Sequence, residues 1–134
     1  GSGAFTIGAT GTASTIAGIL LFSDSSNNSM YTHDVSGTDS TAAGNTAYGF
    51  KAMDAVTTAD DCTAMGENAL SAITTGGENV GIGKNALQKE DTGTRSIAIG
   101  VDALKEQNYD SDVNNICIGY QAVNKLLQDV IIIL

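Results

Sequence analysis

A glycine preceded by a large side chain returns at Gly49, Gly66, Gly83, Gly100 and Gly119, at intervals of 17, 17, 17 and 19 residues. An alanine stands three residues after each of them: Ala52, Ala69, Ala86, Ala103 and Ala122. The units read Asn45-Thr46-Ala47-Tyr48-Gly49, Cys62-Thr63-Ala64-Met65-Gly66, Asn79-Val80-Gly81-Ile82-Gly83, Ser96-Ile97-Ala98-Ile99-Gly100 and Asn115-Ile116-Cys117-Ile118-Gly119. A period this short and this regular is the mark of a repeat architecture, in which each copy is one supersecondary unit stacked on the next.

Each position within the unit has a physical reading. The residue before the glycine is Tyr48, Met65, Ile82, Ile99 or Ile118, and two residues earlier stands Thr46, Thr63, Val80, Ile97 or Ile116. Between them lies a small residue: Ala47, Ala64, Gly81, Ala98 or Cys117. Large–small–large is the period of a strand, which sends alternate side chains to opposite faces. The small row lets another backbone approach, so it is one candidate for a contact between chains. A glycine in a strand pattern marks a bend or a close approach. Beyond it Leu70, Leu87 and Leu104, with Met53 and Val123 in the outer copies, form a second apolar row. Thr57-Thr58-Ala59-Asp60, Thr74-Thr75-Gly76-Gly77 and Asp91-Thr92-Gly93-Thr94 have turn chemistry. The two extra residues of the last interval fall within residues 105–114, as a longer surface loop. The unit therefore reads as strand, bend, short strand or turn, then loop: one rung of a β-solenoid.

Composition agrees. The chain has no proline or tryptophan, 16 glycines, 42% apolar residues and only 16% charged ones. Glycine costs about 1 kcal/mol relative to alanine in a helix interior, so this content disfavours a helical bundle. A net charge of −9 argues against nucleic acid, which is bound by a basic face. Two cysteines are too few for a disulfide framework. No charged leader followed by an apolar stretch is seen, so no secretory signal is expected, and no apolar run is long enough for a membrane span.

A single rung does not fold alone, because its few large apolar side chains repay only part of the entropy lost on ordering it. Stacking supplies the inter-rung hydrogen bonds and the shared faces. Five rungs about 4.8 Å apart make a short rod with a thin core, so several chains are expected to pack around a common axis. Residues 45–123 are the repeat domain. Residues 1–44 are read as an N-terminal cap or connecting β region, with Phe5-Thr6-Ile7-Gly8 as a half-copy. Strands are expected in the apolar segment from Thr15 to Phe22 and around Met30 and Tyr31, with a polar turn at residues 24–28. Residues 124–134 are an apolar C-terminal segment. One or two helical turns are expected across residues 120–128, and Val130-Ile131-Ile132-Ile133-Leu134 is read as a strand or plug buried against sister chains, or as the point where a longer protein was cut.

The Ser96-Ile97-Ala98-Ile99-Gly100 and Asn79-Val80-Gly81-Ile82-Gly83 segments resemble the head repeats of trimeric autotransporter adhesins. The fuller pattern, an apolar residue and glycine followed by Ala-Leu and a Thr-Thr-Gly turn, is more similar to repeats of bacteriophage tail fibres and related virion appendages. The resemblance implies a left-handed parallel β-roll, a homotrimer and a place outside a particle or cell. The 17-residue period is longer than is usual in adhesin heads. No secretory signal, stalk or membrane anchor is seen, which also favours the phage-type reading. Expected partners are sister chains and other virion proteins, with a host-surface glycan or receptor as a further contact. The expected location is the virion exterior, or a bacterial cell surface for an adhesin.

No constellation for catalysis emerges. His33 is the lone histidine, and neither a Ser/His/Asp nor a Cys/His arrangement has a spacing that supports it. Cys62 and Cys117 sit at different offsets, about 14 Å apart by strand spacing, and are expected as buried, inert thiols. Asp60-Asp61 and Glu90-Asp91 offer oxygen ligands of the kind Ca²⁺ takes, but are expected as solvated turn carboxylates. Gly76-Gly77 and Gly81-Ile82-Gly83 lack the lysine and following Ser/Thr of a phosphate loop at the required offsets, and the repeat already accounts for these glycines. The polar row Lys51, Asn68, Asn85, Asp102 and Gln121 is expected as a solubilising face, with glycan binding as the sharper reading. No cofactor or metal is expected. A polysaccharide-cleaving tailspike would need paired carboxylates in a groove. The chain is expected to be an all-β, non-enzymatic structural protein.

Overall fold

The computed structural model describes residues 14–16, 19–24, 29–32, 41–110, 112 and 114–124. They form one eight-stranded sheet: β1 (Ser14–Ile16), β2 (Ile19–Asp24), β3 (Ser29–Tyr31), β4 (Thr46–Tyr48), β5 (Thr63–Met65), β6 (Val80–Ile82), β7 (Ile97–Ile99) and β8 (Ile116–Ile118). Strand order follows chain order. From β3 onward every pairing is parallel and in register, with Ala47 over Ala64, Gly81, Ala98 and Cys117. This is a parallel β-solenoid of about five turns, each turn one repeat of the sequence.

The corner of each turn is built from two consecutive tight turns. The Ala52, Ala69, Ala86, Ala103 and Ala122 N–H groups donate back to the carbonyls of their own repeat glycines at 3.2–3.3 Å. Val56, Ile73, Glu90 and Gln107 then donate to Met53, Leu70, Leu87 and Leu104 at 3.1–3.3 Å. The segment after the glycine is therefore a double turn, not a second short strand. It places Lys51, Asn68, Asn85, Asp102 and Gln121 at φ 52–58° and Met53, Leu70, Leu87, Leu104 and Val123 at φ 40–57°. Asn and Asp tolerate this left-handed region. For the leucines it costs about 1–2 kcal/mol each, which full burial of the side chain, worth about 1.5–3 kcal/mol, offsets.

The repeat glycines need their residue type. Gly83 lies at φ +125°, and a Cβ there would sit 2.6 Å from the backbone C and O of Gly100. The same approach recurs between Gly49 and Gly66 and between Gly66 and Gly83.

The core corrects one expectation. Ala47, Ala64, Ala98 and Cys117 are at most 1% exposed, so the small row faces the interior and is no contact between chains. Its job is to admit the opposite wall: a Cβ on Gly81 would lie 3.1 Å from Leu70 Cγ and 3.2 Å from the Ala86 carbonyl. The interior is the space between the small strand residues and the columns of Ala and Leu from the corner.

At the N-terminal end the apolar segment from Thr15 to Phe22 divides between two strands. Ile16 pairs with Ile19, so the chain reverses between them, and β2 then pairs antiparallel with β3. The corner turn after Gly119 repeats that of the earlier turns, with left-handed Gln121 and Val123, so Tyr120 to Asn124 are not helical. The half-copy at Phe5–Gly8, His33, most of the polar turn at 24–28 and the segment 125–134 lie outside the described residues. The two extra residues of the last interval enter between Tyr109 and Asn114. The inter-turn offset is still 17 where Thr92 meets Tyr109, but 18 at Thr94–Asp112 and 19 at Arg95–Asn114.

Candidate interaction face and interior polar column

The outer face of the parallel sheet carries the large residues. Tyr48, Met65 and Ile118 are 50%, 46% and 50% exposed, and Ile82 and Ile99 between them are half-buried. Met30 extends the exposed surface onto β3 at 42%. The parallel row Thr46, Thr63, Val80, Ile97 and Ile116 is also half-buried, and β4 to β8 contain no charged side chain. One residue past each glycine the margin is mixed. Phe50, Val101 and Tyr120 are exposed, while Glu67 and Lys84 form an ion pair at 3.0 Å. The in-register stacking that builds the solenoid thus lines up one outward apolar stripe along its length.

The left-handed corner carries a second regular row. Asn68 Nδ2 donates to Asn85 Oδ1 at 3.2 Å, and Asn85 Nδ2 donates to Asp102 Oδ1 at 2.8 Å. This hydrogen bond from Asn85 is the main reason that the Asp102 carboxyl lies below its ordinary range. The polar row after the glycines is a bonded ladder as well as a solvated face.

Inside, an unanticipated column runs along the stack: Ser29, Asn45, Cys62, Asn79, Ser96 and Asn115, all buried. Small and amide side chains alternate. The two lower amides reach into the next turn: Asn45 Oδ1 accepts from Cys62 N–H and Nδ2 donates to the Ala59 carbonyl, at 2.9 and 2.7 Å. Asn79 makes the same pair to Ser96 N–H and the Gly93 carbonyl, at 2.9 and 2.7 Å. An amide spanning two turns leaves room only for a small residue above it, so the alternation has a steric cause. The alternation itself was the signal available in the sequence.

Seven residues after the repeat glycines a further interior column changes character, from Val56 and Ile73 to Glu90 and Gln107, all 0% exposed. Glu90 is thus not the solvated turn carboxylate expected from the sequence; Asp60 and Asp61 are exposed as expected. Gly93 N–H and Tyr109 N–H donate to Glu90 Oε1 at 2.8 and 3.3 Å, and Gln107 Nε2 donates to Oε2 at 2.8 Å. Gln107 Nε2 also reaches Ser96 Oγ at 3.0 Å, and its Oε1 accepts from Asn115 Nδ2 at 2.9 Å. Both oxygens of Glu90 are engaged with neutral donors, an arrangement that anchors turns to one another.

Both thiols are buried and free. Burial pushes the Cys62 thiol up to about 11 and raises that of Cys117; a thiol held in its neutral form is a poor nucleophile. Among the described residues no three His, Cys, Asp or Glu side chains are gathered to hold a metal ion, and no helix is long and apolar enough to cross a membrane. Gly76, Gly77, Gly81 and Gly83, which fit no phosphate-loop pattern, lie at close approaches within the stack.

Comparisons with known proteins find no match to the chain, whether among protein-family models, curated proteins or solved structures.

Proposed function

We propose that this chain is a structural segment of a phage-like virion: a tail fibre, appendage or capsid-decorating element that acts as a rigid spacer in homotrimeric form. The observation that carries the reading is the outward stripe of Tyr48, Met65, Ile82, Ile99 and Ile118 on an uncharged sheet face. A monomer rarely leaves a continuous apolar patch beyond a few hundred Å² in water. Identical stripes on sister chains would cover one another around a common axis, and the thin interior of each chain would gain a shared core. The half-buried corner ladder and the acidic loops would then face solvent, where a host-surface glycan or receptor would be met.

Solution mass by light scattering tests the assembly. The expected mass is about three times the 13.6 kDa of one chain, and a clean monomer overturns it. Ile99→Asp, placed on the stripe, is expected to reduce the mass to that of a monomer while the β-type circular dichroism persists. Antibodies raised against the chain are expected to label the outside of intact particles in electron micrographs; labelling confined to bacterial surfaces would favour an adhesin instead.

A further inference from the structure

The buried network of the upper turns has a direction, and one ionisable group sets it. Glu90 Oε2 accepts from Gln107 Nε2 at 2.8 Å, and Gln107 Oε1 accepts from Asn115 Nδ2 at 2.9 Å. All three side chains are fully buried. An ionised carboxylate only accepts. It therefore turns the Gln107 nitrogen towards itself and the Gln107 oxygen towards Asn115, which must then donate. Asn115 Oδ1 is left as a buried acceptor with no hydrogen-bond partner among the described residues.

A side-chain amide reversed about its last bond keeps nearly the same shape, with donor and acceptor exchanged. A proton on Glu90 Oε2 needs an acceptor, and a reversed Gln107 supplies its oxygen at the same place. The Gln107 nitrogen then faces Asn115, whose own reversal offers Oδ1. Ser96 Oγ, which accepts from Gln107 Nε2 at 3.0 Å, donates to the exchanged oxygen. Glu90 Oε1 keeps the Gly93 and Tyr109 N–H groups in both states. Each bond of the column is thus retained with its polarity inverted.

No neighbouring charge fixes the direction instead. The residue stacked below Glu90 is the apolar Ile73. On the same turn, Lys89 is exposed and pairs with Glu106 of the turn above, and Asp91 accepts from Thr74 Oγ1. Also on the turn above, Asp110 accepts from Thr92 Oγ1, while Tyr109, packed against the core, gives Glu90 its backbone N–H. Among the described residues no Lys, Arg or His side chain pairs with the Glu90 carboxylate.

We propose that Glu90, Gln107 and Asn115 form a proton-operated relay. The protonation state of Glu90 sets the orientation of both amides, and so decides whether the last atom of the column accepts or donates.

Side-chain NMR on the full chain tests it. At neutral pH the Gln107 amide protons are expected to show cross-relaxation to Ser96, giving way to Asn115 in acid. The amide signals of Gln107 and Asn115 should move with the midpoint of the Glu90 carboxyl carbon. Glu90→Gln is expected to fold and to hold the acid pattern at every pH, since its oxygen is needed by the Gly93 and Tyr109 amides and its nitrogen then faces Gln107. Gln107→Leu, which cuts the relay, is expected to abolish the response of Asn115. The proposal is overturned by amides that ignore the Glu90 midpoint, or by an Asn115 response that survives Gln107→Leu. A Glu90→Gln variant that keeps the neutral pattern or does not fold overturns it too, as does unfolding of the unsubstituted chain in step with the Glu90 carboxyl. The unsubstituted chain and Glu90→Gln decide the matter even where Gln107→Leu does not fold.

Discussion

The lower and upper turns share one backbone but close their interiors differently. In the lower turns the column behind the corner is Val56 and Ile73, and the one amide there, Asn45, is satisfied by the backbone of the next turn. In the upper turns the column is Glu90 and Gln107, tied to Ser96, Asn115 and the Gly93 and Tyr109 amides. An apolar column tolerates imperfect neighbours, since each side chain contributes roughly its own burial. A polar column does not, because every member must be bonded or it costs more than an apolar residue would. The polar half coincides with the longer last interval, and the Tyr109 amide beside that insertion is one of the groups that complete Glu90. The difference teaches that one repeat geometry is held by additive packing at one end and by an interlocked network at the other.

The most damaging break is expected at the joint between the halves. Gly83→Ala drives a Cβ to 2.6 Å from the Gly100 backbone, at a φ that disfavours side chains, and is expected to destabilise by at least about 4 kcal/mol. Gly119→Ala shares the positive φ, but among the described residues its Cβ would meet only Ala122 Cβ, at 3.8 Å. It should cost about 1–2 kcal/mol, and denaturant titration of both variants separates backbone collision from torsional strain.

Next come the two columns themselves. Glu90→Ala removes an acceptor from Gln107 Nε2 and from the Gly93 and Tyr109 amides and is expected to cost about 3–5 kcal/mol. Ile73→Ala removes packing alone, at about 2–4 kcal/mol. The sharper contrast is coupling. Glu90→Leu combined with Gln107→Leu should be less destabilised than the sum of the single variants by about 1–3 kcal/mol, whereas Val56→Ala and Ile73→Ala should add to within a smaller margin. Additive losses in the upper pair would break the comparison.

The smallest expected effect is in the lower turns at high pH. The Cys62 thiol sits at about 11 in the fold, above the ordinary 9.0, chiefly because burial disfavours the thiolate. The fold therefore favours the protonated form. Its contribution to stability is complete below pH 9 and declines as pH rises towards 11. Thermal melts from pH 8 to 11 should show this decline, and Cys62→Ala should remove that part of it. At pH 8 alkylation of Cys62 should be slow in the native protein and fast in denaturant.

Much of the fold was legible because a repeat states its answer several times. The spacing of Gly49, Gly66, Gly83 and Gly100 determined the stacking, and the alternation around Ala47 or Ala98 determined strands of period two. Neither determined which side of the strand was inside. Hydrophobicity alone would bury Ile99 and expose Ala98; the structure buries Ala98 fully and leaves Ile99 half-buried on the outer face. The reason is volume: the left-handed corner sends Leu70, Leu87 and Leu104 across a narrow interior, and only a small residue fits opposite them. Glu90 was unreadable for a related cause, since its neighbours in space, Gln107 and the Tyr109 amide, are 17 and 19 residues away. The outward stripe came into view only when the inside had been assigned.

What the sequence by itself determined is the period, the strand positions and the glycines that let one turn rest on the next, because these are set by local backbone sterics repeated at a fixed interval. The facing of each row, the burial of Glu90 and the alternating amide column were decided by the tertiary structure. They depend on which side chains meet across a closed turn, and that is a property of the stack.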